Sequence, residues 1–165
     1  EMELKSLEIK RLTFYEGIDT APSYSPDGDF ITFESDRSGS QKIYVMNLKT
    51  KKIKRISFGK GRYATPVWSP RGDLIAFTKL LGGEFYIGVM YTDGKGERVV
   101  YKTYLVEGPS WSPNGRVIAF YSQDKLSGGV ITKPKIKLID LTGINLRQLL
   151  TPADASDPSW SGLIP

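Results

Sequence analysis

A six-residue motif recurs along this chain and limits what the chain can fold into. Residues 23–28 read Ser-Tyr-Ser-Pro-Asp-Gly, residues 67–72 Val-Trp-Ser-Pro-Arg-Gly and residues 110–115 Ser-Trp-Ser-Pro-Asn-Gly, and a truncated copy reads Ser-Trp-Ser at 159–161. The aromatic residues of the four copies are 44, 43 and 49 residues apart. A repeat of this length indicates one supersecondary unit that packs against its neighbours.

Each full copy has the pattern of four short strands. The motif predicts a tight turn, because Pro presets φ and Gly accepts the positive φ that reverses the chain. An apolar stretch follows each turn, a second apolar stretch follows a loop, and a more polar strand such as 53–57 or 146–151 closes the unit. Four strands in about 43 residues is the period of a propeller blade. The predicted fold class is therefore all-β, a propeller of four-stranded antiparallel blades.

The period divides the chain into three full blades and two fragments. The full blades are predicted at 20–57, 64–101 and 107–151. Residues 1–13 form an incomplete blade, because Met2 and Ile9 align with Met46 and Ile53 at an offset of 44 residues. Residues 157–162 are predicted as the first strand of a further blade. About three and a half blades cannot close a ring, so we expect this sequence to be part of a longer protein. Its open blade edges predict self-association.

Two segments depart from the repeat. Residues 124–134 are an insertion of about six residues relative to the other copies and contain Ser-Gly-Gly, which predicts a flexible hairpin.

Residues 41–62 hold eight basic residues and no acidic one. This cluster is either a phosphate or membrane-surface patch or a lysine-rich outer strand that discourages edge-to-edge pairing. Its position on the outer strand favours the second interpretation, and the absence of interleaved aromatic residues argues against nucleic-acid binding.

Several classes of chemistry are excluded by composition. The 165 residues include no His and no Cys, so Ser-His-Asp and Cys-His catalysis, disulfides and the usual zinc sites cannot form within this chain. Asp27 and Asp29 are two neighbouring carboxylates, but the hairpin that carries them offers no sign of a glycosidase-type acid–base pair. The two Gly-Lys-Gly turns at 59–61 and 94–96 lack the rest of a phosphate-binding loop. No apolar run approaches a membrane span. We expect no enzyme activity, no cofactor and no membrane insertion.

The candidate binding residues lie in the loops that enter the innermost strands. In a propeller these strands line the central channel and the loops surround one mouth. The four loops differ from copy to copy while the strands repeat, which is typical of a binding surface grafted on a scaffold. We predict a protein-binding surface with Ile18 and Tyr63 as anchors, together with Asp19, Thr20, Ala21, Thr65, Glu107 and Asp154.

Two further expectations concern charged and aromatic side chains of the repeat. The carboxylates of Asp19, Glu107, Asp154 and Asp157 could attract calcium in the channel, since calcium takes carboxylate and carbonyl oxygens. No EF-hand-like spacing supports such a site, so we expect no bound metal. Because Trp68, Trp111 and Trp160 recur with the period, we predict that they anchor the core.

Other segments carry a resemblance to known families. Ser-Asp-Arg-Ser-Gly at 35–39, followed by Ile-Tyr-Val-Met-Asn-Leu at 43–48, resembles the PD-type propeller repeat. Residues 110–117 and 154–161 resemble the TolB family, the periplasmic propellers of the Tol–Pal system. The resemblance implies a six-bladed propeller that follows a small α/β domain and a cleaved signal peptide, neither of which is in this chain. This chain would hold the last three and a half blades.

The resemblance also implies a function. Members of the family are periplasmic and non-enzymatic, and they bind the peptidoglycan-associated lipoprotein Pal through the propeller. Their N-terminal domain communicates with TolA, the system supports outer-membrane integrity and cell division, and colicins exploit the same surface. The repeat occurs in other secreted propellers too. A gating propeller of a prolyl-oligopeptidase-type serine peptidase, with its hydrolase domain outside this chain, is therefore an alternative, and a scaffold without a specific ligand is a third.

Overall fold

Three four-stranded antiparallel sheets make up the structure, a computed structural model that describes residues 1–161. Within each sheet the strands lie in sequence order, so that each strand pairs with the next one along the chain. The strands of the first sheet are β1 (Asp19–Tyr24), β2 (Phe30–Ser35), β3 (Lys42–Asn47) and β4 (Ile53–Arg55). Those of the second are β5 (Arg62–Trp68), β6 (Leu74–Leu81), β7 (Glu84–Tyr91) and β8 (Arg98–Thr103). Those of the third are β9 (Leu105–Trp111), β10 (Val117–Gln123), β11 (Lys135–Asp140) and β12 (Arg147–Gln148). The predicted fold class is confirmed.

The recurring motif forms the same turn between the first two strands of every sheet. The amide of the motif Gly donates to the carbonyl of the Ser that precedes Pro, over 2.9 Å at Gly28, 2.9 Å at Gly72 and 2.8 Å at Gly115. The three glycines have φ of 75°, 79° and 66°. Glycine is favoured there because a side chain is strained in the left-handed region.

The sheets stack in chain order, with β1 in contact with β5 and β5 in contact with β9. The core lies between the sheets, and each interface carries one motif tryptophan. Trp68 stacks on Phe30 of the preceding sheet with ring centroids 6.2 Å apart, and the Trp111 indole N–H donates to the Val67 carbonyl over 3.0 Å. Both tryptophans are buried, as predicted.

The prediction for Trp160 is wrong, because its side chain is exposed. Residues 157–161 join none of the three sheets, so no neighbouring strand covers the indole. Residue 162, the last of the predicted strand, lies outside the described residues.

The first ten residues fold as a hairpin equivalent to the β3–β4 hairpin. Met2 pairs with Ile9 as Met46 pairs with Ile53. The turn residue Leu7 has φ of 58°, and its counterpart Lys51 has φ of 57°. Among residues 1–161, no helix is long and apolar enough to cross a membrane.

Candidate protein-binding surface

The loops that enter the inner strands and those between second and third strands lie at one end of the sheets. The strand register requires this, because Asp19 pairs with Ser35, Arg62 with Leu80 and Leu105 with Gln123. We call this end the loop face. It comprises residues 17–21, 36–41, 59–65, 81–84, 104–108 and 124–134.

A β-bulge shapes each inner strand below the loop face. The residue three positions before the motif aromatic has positive φ in every copy: 50° at Ala21, 45° at Thr65, 66° at Gly108 and 50° at Asp157. The pairing of β1 with β2, of β5 with β6 and of β9 with β10 shifts register at these points. A bulge bends its strand and re-aims side chains. Two predicted contact residues, Ala21 and Thr65, therefore have an additional backbone role.

Asp19 is held by an arginine of the same sheet. The Arg37 guanidinium donates to the two carboxylate oxygens over 2.9 Å and 2.8 Å and lies 5.0 Å from the centroid of the Tyr44 ring. Burial acts to raise the pKa of Asp19, but hydrogen bonds with Ser35, Arg37 and Thr13 outweigh it and hold this pKa below its usual range. The neighbouring Ile18 and Thr20 are exposed on the loop face.

Tyr63 corrects the prediction of an aromatic anchor, because its side chain is completely buried. Its hydroxyl donates to the Glu97 carboxylate, whose oxygens lie 2.7 Å and 2.8 Å away. The ammonium groups of Lys42 and Lys79 lie 4.9 Å and 4.7 Å from the ring centroid. Burial raises the pKa of Tyr63, and the Glu97 carboxylate raises it further. This side chain joins two sheets and is not available to a partner.

Glu34 is a buried acid that sequence reasoning missed, because it lies within an apolar strand. Its carboxylate accepts the Thr65 amide over 2.8 Å. Burial raises the pKa of Glu34, and the charge of Glu107 raises it further against the lowering effect of that hydrogen bond. Glu107 itself is half-buried and accepts a hydrogen bond from the Tyr121 hydroxyl over 3.3 Å.

The four carboxylates considered for calcium do not form one group. Asp19 is paired with Arg37, and Asp154 lies 3.6 Å from the Lys133 ammonium. Nowhere in residues 1–161 do three or more acidic, His or Cys side chains form a group that could hold a metal ion. The calcium alternative therefore finds no support among the described residues. Of the predicted contacts, Ile18, Thr20 and Asp154 are exposed, whereas Asp19, Ala21, Thr65 and Glu107 are half-buried.

Comparisons with known sequences agree on one protein family. The sequence profile of the TolB beta propeller domain matches residues 1–164. The Tol-Pal system protein TolB of Zymomonas mobilis subsp. mobilis is 62% identical over 85 residues, which is 52% of this chain and 18% of that protein. The matched segment thus spans about a fifth of this curated relative.

Solved structures share the fold. The crystal structure of TolB from Acinetobacter baumannii superposes with a TM-score of 0.82 at 26% identity, over 96% of this chain and 39% of that one. A puromycin-hydrolysing peptidase of Mycobacterium tuberculosis superposes with a TM-score of 0.62 at 16% identity, over 81% of this chain and 23% of the peptidase. That second likeness concerns the fold alone.

Proposed function

Because the chain belongs to the TolB beta propeller domain family, we propose that it is a non-enzymatic protein-binding propeller of the Tol–Pal system. In this proposal it acts in the periplasm and binds the lipoprotein Pal on the loop face. Other Tol components would be reached through an N-terminal domain outside these residues, and colicin-like peptides would compete for the same surface. The family match over nearly the whole chain is the observation that carries the proposal.

The loop face has the properties that protein binding requires. Ile18 offers an exposed apolar side chain and Thr20 an exposed polar one at the first sheet, Glu107 adds a half-buried carboxylate at the third sheet, and Asp154 adds an exposed one beside Lys133. The Asp19–Arg37 pair supports the backbone beside Ile18. A pre-organised surface loses less conformational entropy on binding, which favours affinity.

Calorimetry with the full-length parent protein and the soluble domain of Pal tests this proposal. We expect Ile18→Asp to weaken binding at least about tenfold, because an apolar contact worth about 1–2 kcal/mol is replaced by a buried charge. Ile144→Asp is the matched control. Ile144 is 81% exposed, compared with 52% for Ile18, and it lies in the β11–β12 turn at the other end of the sheets. Absence of binding by the unchanged protein would contradict the proposal. An equal effect of the two substitutions would exclude Ile18 as a contact.

The peptidase alternative has one supporting observation, the fold likeness to the puromycin-hydrolysing peptidase. It predicts a Gly-x-Ser-x-Gly elbow and a catalytic His encoded downstream of the propeller in the parent gene. The match of residues 1–164 to the TolB beta propeller domain favours the first proposal instead. Reading the parent gene decides between the two.

A further inference from the structure

A groove of about 600 Å³ opens on the loop face between the second and third sheets. Its walls are mostly apolar, and the Lys133 side chain stands at its rim. The apolar lining residues are Phe85, Tyr104, Leu105, Ile131 and Pro134. The groove belongs to different blades from Ile18 and Thr20, which lie on the first sheet.

One wall of the groove is the hairpin formed by residues 124–134. The base of this hairpin is held by reciprocal hydrogen bonds, from the Asp124 amide to the Thr132 hydroxyl and from the Thr132 amide to the Asp124 carbonyl, each 2.9 Å long. The Asp124 carboxylate also accepts hydrogen bonds from Lys137 over 2.8 Å and from Thr103 over 2.7 Å. The groove therefore has a wall that is fixed at its base.

The hairpin exposes apolar side chains that the core does not use. Leu126, Val130 and Ile131 are 53%, 61% and 45% exposed. The corresponding loops of the other two blades, residues 36–41 and 82–83, consist only of polar residues and glycine. Clustered exposed apolar side chains beside a groove are typical of interaction sites.

The charge around the groove is mostly positive and only partly neutralised. Lys102 is paired with Glu84, and Lys133 has a single contact of 3.6 Å with Asp154. In the part of the chain that the structure describes, Lys125 and Lys135 lie within salt-bridge distance of no carboxylate. The Lys125 ammonium lies 5.6 Å from the Tyr104 ring centroid, at the groove. Such a site favours a ligand that is apolar at its centre and anionic at its flanks.

We propose that this groove binds an extended segment of the protein partner in which an aromatic or aliphatic side chain is flanked by Asp or Glu. The apolar side chain packs against Phe85, Tyr104 and Ile131, and the flanking carboxylates meet Lys125 and Lys133. The inference rests on the proposed function, which it deepens by naming the chemistry of the docked segment.

Short fluorescent peptides test the groove directly by anisotropy with the full-length parent protein. The probes are Ac-Gly-Asp-Phe-Asp-Gly, a version with Ser in place of Phe and a version with Lys in place of both Asp residues. We expect the first peptide to bind and each of the others to bind at least about tenfold more weakly. Equal binding of the three peptides would overturn the proposal, as would preference for the Lys version.

Variants locate the binding. Ile131→Asp and the pair Lys125→Glu with Lys133→Glu should each weaken the first peptide about tenfold or more. The matched controls, Ile144→Asp and the pair Lys49→Glu with Lys51→Glu, should leave its affinity unchanged. All these side chains are exposed, so thermal unfolding should show folded proteins. Unchanged affinity of the groove variants would overturn the proposal.

Pal binding of the same proteins separates the two hypotheses. If the unchanged protein and Ile131→Asp bind Pal equally, the groove is not used for this partner and this inference fails while the proposed function stands. If the unchanged protein does not bind Pal but the peptide series follows the expected order, the proposed function fails and the peptide specificity of the groove stands.

Discussion

Asp19, Tyr63 and Val106 occupy the same position of the repeat in successive blades, and each is stabilised in a different way. Asp19 pairs with Arg37, Tyr63 donates to Glu97, and Val106 packs in the core between the second and third sheets. The blade scaffold thus accepts a charged, a polar aromatic or an aliphatic side chain here, provided that its neighbours change with it. In the third blade Ser122 takes the place of Ser35, and within residues 1–161 its buried hydroxyl has no hydrogen-bond partner.

Tyr63→Phe tests the stabilising role of the buried hydroxyl. We expect a loss of about 1–2 kcal/mol in the free energy of unfolding, because the charge-assisted hydrogen bond to Glu97 is removed. Urea denaturation measures the effect. Tyr91→Phe is the control, since Tyr91 is exposed, and its expected change is within about 0.5 kcal/mol. Equal effects of the two substitutions would show that the Tyr63 hydroxyl contributes nothing.

Glu34→Gln should have an effect on stability that depends on pH. Burial raises the pKa of Glu34 in the folded state, so ionising this carboxyl above its unfolded pKa of about 4.3 reduces the free energy of unfolding. The amide oxygen of Gln can still accept the Thr65 amide. We therefore expect the substitution to raise the free energy of unfolding at pH 7, with a gain that shrinks as the pH falls through the raised pKa of Glu34 and is gone below about 4.

Asp124→Asn should affect stability with the opposite pH dependence, and urea denaturation at several pH values measures both variants. Burial acts to raise the pKa of Asp124, but hydrogen bonds with Lys137 and Thr103 outweigh it and lower this pKa. The ionised carboxylate therefore contributes stability above its unfolded pKa of about 3.9, and that stability is lost as the pH falls through the folded pKa. The loss on substitution should be larger at pH 7 than at pH 2. A pH-independent difference for both variants would contradict these assignments.

Bulges and hairpins repeat at the level of the structural element, even where side chains differ. Ala21, Thr65 and Gly108 share positive φ in the inner strands although their side chains have little in common. Asp157 has the same conformation outside the three sheets, and the hairpin at 1–10 repeats the pairing of Met46 with Ile53. The backbone path is thus preserved by the spacing of the repeat.

Ala21→Gly tests the bulge. Alanine is strained at φ of 50°, so glycine should raise the free energy of unfolding by about 0.5–1 kcal/mol. The matched control is Ala64→Gly in the second inner strand. Ala64 is half-buried like Ala21 but lacks positive φ, and glycine there should lower stability by about 1 kcal/mol. Thermal denaturation of the two variants should therefore give midpoint shifts of opposite sign, and shifts of the same sign would contradict the account.

Within residues 1–161, no blade packs before the first sheet and none packs after the third. The face of the first sheet formed by Ile31, Phe33 and Met46 is buried by flanking side chains such as Leu12 and Leu48 instead of by a blade. At the other end, residues 149–155 run along the third sheet, with the Leu149 amide donating to the Ile136 carbonyl. Apolar sheet faces of this kind tend to recruit another chain.

A polypeptide of these 165 residues, produced by itself, should self-associate. Light scattering at increasing concentration should show a mass above that of the monomer. Ile9→Lys and Leu150→Lys, at exposed apolar positions before the first sheet and after the third, should reduce association without loss of thermal stability. Ile144→Lys should leave it unchanged. A monodisperse monomer of the unchanged polypeptide would contradict this prediction.

The sequence by itself determined the all-β class, the blade period, the turns and the register of the hairpin at 1–10. These features depend on residues close together in the chain, because Pro and Gly set turn dihedrals and apolar alternation sets strand faces. The exposure of Ile18 and Thr20 could also be predicted from the sequence, because loops that enter inner strands lie at the end of a sheet.

Only the tertiary structure decided which side chains are buried and what they meet. Tyr63 and Glu97 lie at opposite edges of one sheet, 34 residues apart in sequence. Glu34 and Thr65 lie in neighbouring sheets, 31 residues apart. Both contacts therefore exist only in the assembled tertiary structure. The groove beside Ile131 likewise needs the loops of two blades at one end of the fold. Packing of strands and sheets brings together residues that are far apart in sequence, and the burial of their polar groups follows from that packing. For this reason the buried tyrosine, the buried acid and the groove could not be read from the repeat alone.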